Sequence, residues 1–512
     1  MEYDIIFIVG EKFADHPLSG IGILKRLLEK HRYSVAVIES CMNEKEVLKF
    51  GKPKLFFGVS SGSVDSMVRN YTPLKKVRAE NPKLKFTQTS PDRAVTVYCN
   101  WIKKYFKESK IVVGGVEGTL RRFSHYDYWD NAVRKSILFD SRADILAYGP
   151  AEKQILEIAS RIKEGKELNG ILGTCIRTRE LPEGFVELPS HAEVISSNKK
   201  FCEMQNLLSN KKNLAQKTDN FYVLQYKFPE YTSKDLDEYY EMPFTRDISN
   251  FPELKGFEFS VVTHRGCIGD CNFCSIRLLA GDKIISRSEE SILREVKYIT
   301  TLPNFKGNID DFGGPSANMY GMDCKISYLC NNACIACKNL NKSHRRLIDL
   351  LRKVRQIPNV KKVFVRSGVR YDLINEEYLK ELVEHHVSGK LKIAPEHVTE
   401  NVLKMMNKNR GDLDKFMSDF HKLGRGELSF YFMSAHPGAT MKDAEILAEK
   451  LKSLKNCESV QTFTPTPMTV STCMYYTECD PITGKKIYVP KTYKEKKDQK
   501  RILFKNKNWG ED

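Results

Sequence analysis

The sequence predicts an α/β protein in which an open, amino-terminal parallel sheet precedes a partial (β/α)6 barrel and a basic carboxyl-terminal extension. Three observations lead to this prediction. Short apolar runs alternate with amphipathic stretches over residues 1–165, a second alternation of the same kind occupies residues 251–470, and lysines crowd into residues 471–512. Such alternation is typical of parallel sheets that helices cover. The periodicity weakens over residues 166–250, which we interpret as a connector with a helix around residues 200–216.

Five short apolar runs predict the strands of the first domain. Helical periods separate them, such as the face formed by Ile21, Leu24 and Leu28. Glycine or serine follows three of these strands, as in Gly114-Gly115. This would place flexible loops at the carboxyl edge of the sheet, where ligands bind in open α/β folds; simple turn chemistry is the alternative. The predicted strands cover residues 5–9, 34–38, 55–59, 111–113 and 145–147.

Six further strand and helix units predict the barrel. Ser286 and Glu289 fit a capping box at the start of one of its helices. Ile292, Val296 and Ile299 then form one apolar face of that helix. Barrels of this kind place their active site at the carboxyl ends of the strands. The predicted strands cover residues 257–262, 309–312, 362–366, 391–394, 428–433 and 460–463.

Composition excludes two classes of protein. A chain of 512 residues with 41% hydrophobic and 29% charged residues can bury large cores, which argues against wholesale disorder. No apolar run approaches the roughly 18 residues that a membrane span needs. The first residues show no basic leader before the apolar run at 5–9, so we expect a cytoplasmic protein without a membrane partner.

The net charge is +17, and basic residues occur along the whole chain and are densest near the carboxyl end. Lys485, Lys491, Lys497 and Lys505 belong to this basic stretch. A polyanion such as RNA is one partner that it would suit, and a solvated, partly disordered tail is the alternative.

Fourteen cysteines in a chain without a secretion signal should stay reduced, so clustered ones are better explained as metal ligands than as disulfides. Seven of them lie between residues 267 and 337. The other seven stand at uninformative spacings and are interpreted as small buried apolar side chains: Cys41, Cys99, Cys175, Cys202, Cys457, Cys473 and Cys479.

The sharpest motif is Cys267-x3-Cys271-x2-Cys274, which follows directly on the first predicted barrel strand. An electron carrier holds a four-iron four-sulfur (4Fe-4S) cluster with four cysteines. Three thiolates bind only three of the irons and leave the fourth open to another ligand. The motif therefore predicts a redox-active 4Fe-4S cluster with one exchangeable position.

This spacing resembles the signature of the radical S-adenosylmethionine (SAM) superfamily, in which the methionyl amino and carboxylate groups chelate the open iron. Phe273 fits the pattern, because an aromatic residue commonly precedes the third cysteine there and lies near the adenine. Segments over nearly the whole chain are similar to the YgiQ family of radical SAM proteins. They cover residues 15–17, 55–59, 124–129, 312–320, 367–372, 392–397, 434–438, 466–468 and 474–477.

The resemblance implies contacts to SAM at further residues. Gly313 and Gly314 follow the second predicted barrel strand, where missing side chains would let backbone carbonyls approach the methionyl ammonium. Pro315 stands where the superfamily usually has a glutamate. Glu396, at the end of the fourth strand, suits hydrogen bonds to ribose hydroxyls or substrate. His397 beside it belongs either to this site or to the core.

The resemblance also implies a reaction. A low-potential donor, a ferredoxin or a flavodoxin, reduces the cluster, SAM is cleaved, and the resulting 5′-deoxyadenosyl radical abstracts hydrogen from a substrate inside the barrel. The substrate is left open; RNA is one candidate, because methylthiotransferases combine a SAM cluster with a second cysteine site. The alternative from another class is a non-catalytic nucleic-acid-binding protein whose cysteines hold zinc or an iron-sulfur cluster.

A second cysteine group lies in a predicted cysteine-rich insertion over residues 323–338. Four thiolates close a site, which could hold a second 4Fe-4S cluster or a zinc ion; unligated thiols are the third alternative. The group is Cys324-x5-Cys330-x3-Cys334-x2-Cys337.

The first domain resembles the cobalamin-binding domains that are fused to many radical SAM enzymes, so cobalamin is a candidate cofactor. Those domains typically carry Asp-x-His-x-x-Gly. Here Asp15 and His16 are adjacent, which argues against an axial histidine.

Overall fold

A computed structural model of the chain describes residues 2–78, 88–249, 254–324, 326, 330, 334–408, 411–454 and 457–504. The chain divides into two compact units. Unit 1 comprises Met1–Glu230, Phe244–Glu253 and Thr464–Lys486, and unit 2 comprises Tyr231–Pro243, Leu254–Phe463 and Ile487–Asp512.

Unit 1 is built on a nine-stranded sheet and a separate two-stranded one. Its strands are β1 (Ile5–Val9), β2 (Val35–Glu39), β3 (Phe56–Ser60), β4 (Lys110–Val113), β5 (His125–Asp127), β6 (Ala132–Arg134), β7 (Ile145–Ala147), β8 (Thr174–Thr178), β9 (Val186–Leu188), β10 (Leu214–Thr218) and β11 (Phe221–Gln225). The order in the large sheet is β2-β1-β3-β4-β7-β8-β11-β10-β9.

The strands β1, β2, β3, β4 and β7 are mutually parallel, which confirms the predicted open parallel sheet. All five predicted strands are present, and none of their ends moves by more than one residue. Ile5, Phe56 and Val113 on these strands are fully buried. The order of the five strands is that of flavodoxin-like sheets, in which ligands bind at the carboxyl edge where the strand order reverses.

Residues 166–250 do not form the connector that we had expected. β8 pairs antiparallel with β7 and β11, and β10 pairs antiparallel with β11, so these strands extend the sheet. Polar residues interrupt these strands, so that β8 and β10 offer only two consecutive apolar residues each, which weakens the apolar signal. Lys217, exposed on β10, shows this effect. The helix expected around residues 200–216 ends earlier, at Leu207.

The apolar face predicted by Ile21, Leu24 and Leu28 lies on the first helix of unit 1. Ser19 caps this helix, its hydroxyl accepting a hydrogen bond from the Gly22 N–H (3.1 Å). The helices of unit 1 that precede residue 208 are α1 (Gly20–Lys30), α2 (Ser66–Asn70), α3 (Ala94–Tyr105), α4 (Gly115–Leu120), α5 (Ile137–Asp140), α6 (Glu152–Lys163), α7 (His191–Ser196) and α8 (Asn198–Leu207).

Unit 2 contains the predicted barrel strands as short parallel pairs. Its strands are β12 (Val261–Val262), β13 (His264–Arg265), β14 (Ile285–Ser286), β15 (Asn308–Ile309), β16 (Phe312–Gly313), β17 (Lys362–Val363), β18 (Lys390–Glu396), β19 (Glu427–Ser434) and β20 (Cys457–Thr462). β12 pairs with β16, β15 with β17, and β18, β19 and β20 form one sheet, all in parallel. Each of the six predicted positions holds strand residues, and the first three strands are shorter than predicted.

The remaining helices alternate with these strands, as a (β/α) repeat requires. Within the described ranges, every helix is too short or too polar to span a lipid bilayer. The remaining helices are α9 (Ser233–Tyr240), α10 (Ile276–Ala280), α11 (Glu289–Ile299), α12 (Arg345–Arg355), α13 (Glu376–His385), α14 (Glu400–Met405), α15 (Leu413–Lys422), α16 (Met441–Ser453), α17 (Val470–Thr477, in unit 1) and α18 (Tyr493–Phe504).

The apolar face predicted for α11 is confirmed, but its cap is a different serine. Ile292 and Val296 are fully buried in the core of unit 2. The Ser288 hydroxyl, not that of Ser286, accepts the capping hydrogen bond from the Ser291 N–H (3.1 Å). Ser286 lies on β14 instead. The prediction chose the wrong serine because two serines two residues apart offer the same sequence signal.

The basic stretch at 471–512 is not a separate tail. α18 packs on unit 2, where Leu503 belongs to the hydrophobic core. The Gln499 side chain donates to the Ala439 carbonyl (2.7 Å) and accepts from the Ala435 N–H (3.1 Å). Lys494 lies on the exposed face of the same helix. Residues 505–512 of the predicted tail lie outside the described residues.

Candidate functional site

The cysteine loop, residues 266–274, is anchored at its start by a glycine. Gly266 follows β13 and has a φ of +86°, in the left-handed region that favours glycine. A Cβ at this position would lie 1.8 Å from the carbonyl oxygen of Lys283. The backbone N–H of Cys267 donates to the Gly281 carbonyl (3.1 Å). The loop therefore packs directly against the backbone of residues 281–283.

We expect Gly266→Ala to displace Cys267 and to lower the iron that the reconstituted protein retains. The added Cβ overlaps the Lys283 carbonyl, and the left-handed backbone itself costs alanine about 1–2 kcal/mol. Gly424→Ala is the matched control, because Gly424 has a φ of +63° but no atom within 4 Å of the added Cβ. Iron and sulfide analysis checks the prediction. Equal iron in Gly266→Ala and wild-type protein would contradict the anchoring role.

Two asparagines fix the far part of the cysteine loop to the end of α14. The Asn272 side chain donates to the Met405 carbonyl (2.8 Å), and its backbone N–H donates to the Met406 carbonyl (3.0 Å). The Asn407 side chain donates to the Asp270 carbonyl (2.6 Å). The loop is therefore held from both sides by contacts within unit 2.

Cys267, Cys271 and Cys274 are brought together on this loop. Burial raises the pKa of the Cys274 thiol to about 12 and also raises the pKa of Cys267. Such thiols lose their protons when a metal takes the proton's place. Among the described residues, no three cysteine, histidine or acidic side chains are placed to hold a single metal ion. A cubane needs no such arrangement, because each thiolate binds a different iron.

A buried cation contacts these cysteines directly. Arg370 Nη1 donates to Cys271 Sγ (3.3 Å), while Nε and Nη2 donate to the two carboxylate oxygens of Asp372 (3.0 and 2.6 Å). A Cβ on Gly269 would lie 2.3 Å from Nη1, so the glycine makes room for the guanidinium. Sequence reasoning noted residues 367–372 only as a family segment and missed this role. The one signal was a charged residue near a strand end.

The structure also brings Phe273 and Glu396 to one place. Lys408 Nζ lies 3.2 Å from Glu396 Oε1 and 5.9 Å from the centroid of the Phe273 ring. Glu396 ends β18 with a φ of +71°. Lys408 is a second cation that sequence reasoning missed. His397 is buried, and its Nδ1 accepts a hydrogen bond from the Thr399 N–H (3.2 Å), so it is a satisfied core histidine.

Gly313 ends β16 and Gly314 follows it, and a Cβ on Gly313 would lie 3.0 Å from Ala317. The Gly313 carbonyl accepts from the Thr263 N–H (2.7 Å). A Cβ on Gly314 would lie 2.7 Å from the buried ring of His264. The Ser316 side chain lies near the Cys267 thiol and counteracts part of the rise that burial causes in its pKa, so this segment runs beside the cysteine loop.

Three family models match successive parts of the chain. A radical SAM N-terminal model matches residues 1–256, and the radical SAM superfamily model matches residues 261–451, which contain the cysteine loop. A domain of unknown function, DUF3362, matches residues 458–509.

The similar curated proteins carry one family name. A UPF0313 protein of Methanocaldococcus jannaschii is 44% identical over 99% of this chain and 90% of its own length. A UPF0313 protein of Fusobacterium nucleatum is 40% identical over 98% of this chain and 95% of its own length. This chain belongs to the UPF0313 family of radical SAM proteins.

The UPF0313 chain is also similar in fold to two solved radical SAM enzymes. The methyltransferase TsrM from Kitasatospora setae, solved with tryptophan substrate and a SAM analogue, has a TM-score of 0.53 at 16% identity over 92% of this chain and 76% of that one. OxsB, a cobalamin-dependent SAM radical enzyme solved with aqua-cobalamin, has a TM-score of 0.52 at 13% identity, over 94% and 56% of the chains. TsrM has also been solved with cobalamin and a [4Fe-4S] cluster. This likeness confirms a cobalamin-binding-like α/β domain followed by a radical SAM domain.

The second cysteine group of the UPF0313 chain lies beside the first. Cys334 and Cys337 pack against the same apolar cluster that contains Cys267. Lys283, whose carbonyl packs against Gly266, donates through Nζ to Cys334 Sγ (3.1 Å). The other two members of the group, Cys324 and Cys330, are partly buried.

In unit 1 of the UPF0313 chain, protein side chains occupy part of the carboxyl edge of the parallel strands. Glu11 Oε2 accepts from the backbone N–H and the hydroxyl of Ser63 (2.9 and 2.7 Å) and from Arg69 Nη2 (3.0 Å). A Cβ on Gly62 would lie 2.4 Å from the Glu11 carboxylate carbon. This glycine therefore serves the packing of loops against one another, in line with simple turn chemistry.

His16 does not fit the role of an axial cobalamin ligand. Its ring is fully buried, and Nδ1 accepts from the Leu18 N–H (3.1 Å). Asp15 beside it is bound by Arg26 Nε (2.8 Å) and by the Thr245 N–H (3.0 Å). We therefore assign no step of the reaction to cobalamin.

Proposed function

We propose that this UPF0313 protein is a radical SAM enzyme whose 4Fe-4S cluster is held by Cys267, Cys271 and Cys274. The observation that carries the proposal is the cysteine loop, which offers three ligands, leaves the fourth iron open, and is fixed on both sides by hydrogen bonds. When bound, the cluster and SAM supply a 5′-deoxyadenosyl radical that takes a hydrogen atom from substrate. The residues of the chain hold, orient and shield these groups.

Arg370 places positive charge beside the thiolates. Arg370 reaches Cys271 Sγ, and hydrogen bonds to cluster sulfurs are one of the means by which proteins set reduction potential. Asp372 binds two guanidinium nitrogens at once, which fixes the orientation of the third. The pair is almost fully buried, so water does not screen its effect on the cluster.

We further propose that Phe273, Gly313, Gly314 and Glu396 contact SAM. Phe273 stands next to the third cysteine, and a hydrogen bond from Lys408 Nζ orients the Glu396 carboxylate. The nearness of Ser316 to the Cys267 thiol supports the placing of the two glycines beside the cysteine loop.

The test of the proposal is electron paramagnetic resonance of anaerobically reconstituted, dithionite-reduced protein. Because SAM would bind the open iron, we expect its addition to change the spectrum of the reduced cluster. If the cluster is intact and reduced but its spectrum does not change at saturating SAM, the proposal is wrong.

We also propose that Cys324, Cys330, Cys334 and Cys337 hold a second 4Fe-4S cluster. The apolar cluster that Cys334 and Cys337 share with Cys267 places the two groups side by side, which suits electron passage from a ferredoxin or flavodoxin. Such thiols stay reduced in the cytoplasm, where we place the protein.

Replacing Cys334 and Cys337 together with alanine should lower bound iron by about four per chain. Metal analysis of the purified variant measures this loss, and a fall of about one zinc instead would identify the other metal. The SAM-dependent spectral change of the first cluster serves as the internal control and should persist. If neither metal falls, these cysteines are not ligands.

A further inference from the structure

Three cysteines outside both iron-sulfur groups meet in unit 1. Cys202 lies on α8, Cys473 on α17, and Cys479 shortly after α17. The sulfurs of Cys202 and Cys473 are 3.8 Å apart, and the Thr477 hydroxyl lies 3.6 Å from the Cys202 sulfur. Nothing in the sequence pattern relates Cys202 to Cys473, because they stand 271 positions apart.

The two neighbouring thiols differ in accessibility and in acidity. Cys202 is partly exposed, whereas Cys473 is fully buried. The hydrogen bond that Cys473 donates lowers the pKa of Cys202 to about 6, and the same contact raises the pKa of Cys473. Near neutral pH, Cys202 is therefore the thiolate of the pair and the more exposed of the two residues, and Cys473 is the buried thiol next to it. This is how an attacking and a resolving cysteine are arranged.

We propose that Cys202 and Cys473 form a redox-active dithiol that reacts with low-molecular-weight disulfides. The Cys202 thiolate attacks one sulfur of a disulfide RSSR, which forms a mixed disulfide and releases RS⁻. Cys473 then attacks the Cys202 sulfur, and the Cys202–Cys473 disulfide forms as the second RS group leaves. The proton of Cys473 departs with that group as RSH. Two protein thiols are oxidised and one disulfide is reduced, so no other oxidant is required.

The two sulfurs are close enough for this bond to form after a small local movement. A disulfide has an S–S length of about 2.05 Å, and rotation of one cysteine side chain can close a gap of this size. The bond would join α8 to α17, which lies in the segment Thr464–Lys486 that follows the barrel in sequence. Oxidation would thus join two parts of unit 1 that are far apart in sequence.

Peptide mapping of the full-length, cluster-loaded protein tests the proposal. The protein is incubated anaerobically with glutathione disulfide at about pH 7, free thiols are alkylated, and digested peptides are analysed by mass spectrometry. We expect a peptide pair joined through Cys202 and Cys473. Cys473→Ala should instead accumulate glutathione on Cys202, and Cys202→Ala should show neither product. Cys479→Ala is the matched control: it removes the third thiol and should form the same link as wild type.

The pH dependence of alkylation separates a coupled pair from an ordinary exposed thiol. The rate of Cys202 alkylation should rise with a midpoint at about pH 6 in wild type. In Cys473→Ala the midpoint should move up toward the value of a free cysteine, about 8.5. The proposal is overturned if Cys202 stays reduced at equilibrium with glutathione disulfide, if it links to Cys479 in place of Cys473, or if its midpoint is the same in both proteins.

Discussion

Replacing Cys271 with alanine is expected to remove about four irons per chain from the first site and to abolish SAM cleavage. The cysteine loop offers three thiolates, so no spare ligand can take the place of the one that is lost. The change also removes the acceptor of the Arg370 Nη1 hydrogen bond, while the guanidinium stays buried beside Asp372. Iron and sulfide analysis, with the spectrum of the reduced cluster, measures the outcome.

Cys457→Ala is the matched control for this variant. Cys457 is a partly buried cysteine of the same unit and begins β20, whereas the cysteine loop follows the carboxyl end of its strand. Its loss should leave the iron content and the spectrum unchanged. If Cys271→Ala retains full iron and a wild-type spectrum, the assignment of the cluster ligands is wrong.

Removing α18 by ending the chain at residue 492 is expected to destabilise unit 2 by more than about 3 kcal/mol. The loss of the buried Leu503 side chain alone costs about 2–5 kcal/mol. The loss of Gln499 leaves the Ala435 N–H and the Ala439 carbonyl without their partner, at about 1–3 kcal/mol. The truncation therefore acts on the barrel and not only on the charge of the chain.

Hydrogen exchange of peptides from β19 and β20 measures this loss, because it reports on unit 2 alone. Leu503→Ala should reproduce much of the effect. Lys494→Ala, on the exposed face of the same helix, should change stability by less than about 0.5 kcal/mol. Unchanged protection after truncation would show that α18 is a dispensable appendage.

The parts of the fold and of the site that the sequence predicts are those encoded locally. The cysteine motif is one run of eight residues, from Cys267 to Cys274, and its spacing alone indicates the chemistry. The buried parallel strands are continuous apolar runs, so their positions were predicted to within one residue. The extension from β8 to β11 was missed because polar residues interrupt it, so that β8 and β10 offer only two consecutive apolar residues each.

Contacts between distant residues were the other part that sequence reasoning could not supply. Arg370 reaches a cysteine 99 positions earlier, and only the fold brings the two together. The same holds for Cys202 and Cys473. Lys408 is similar, because one lysine among 82 basic residues carries no signal of its own until its partners Glu396 and Phe273 are known.

The formation of 5′-deoxyadenosine tests the central claim most directly. Anaerobically reconstituted full-length protein is given dithionite and SAM, and the products are separated by chromatography. We expect the wild type and Cys457→Ala to form 5′-deoxyadenosine slowly even without substrate, and Cys271→Ala to form none. A wild-type protein that carries the intact, reduced cluster and forms no 5′-deoxyadenosine would contradict the claim.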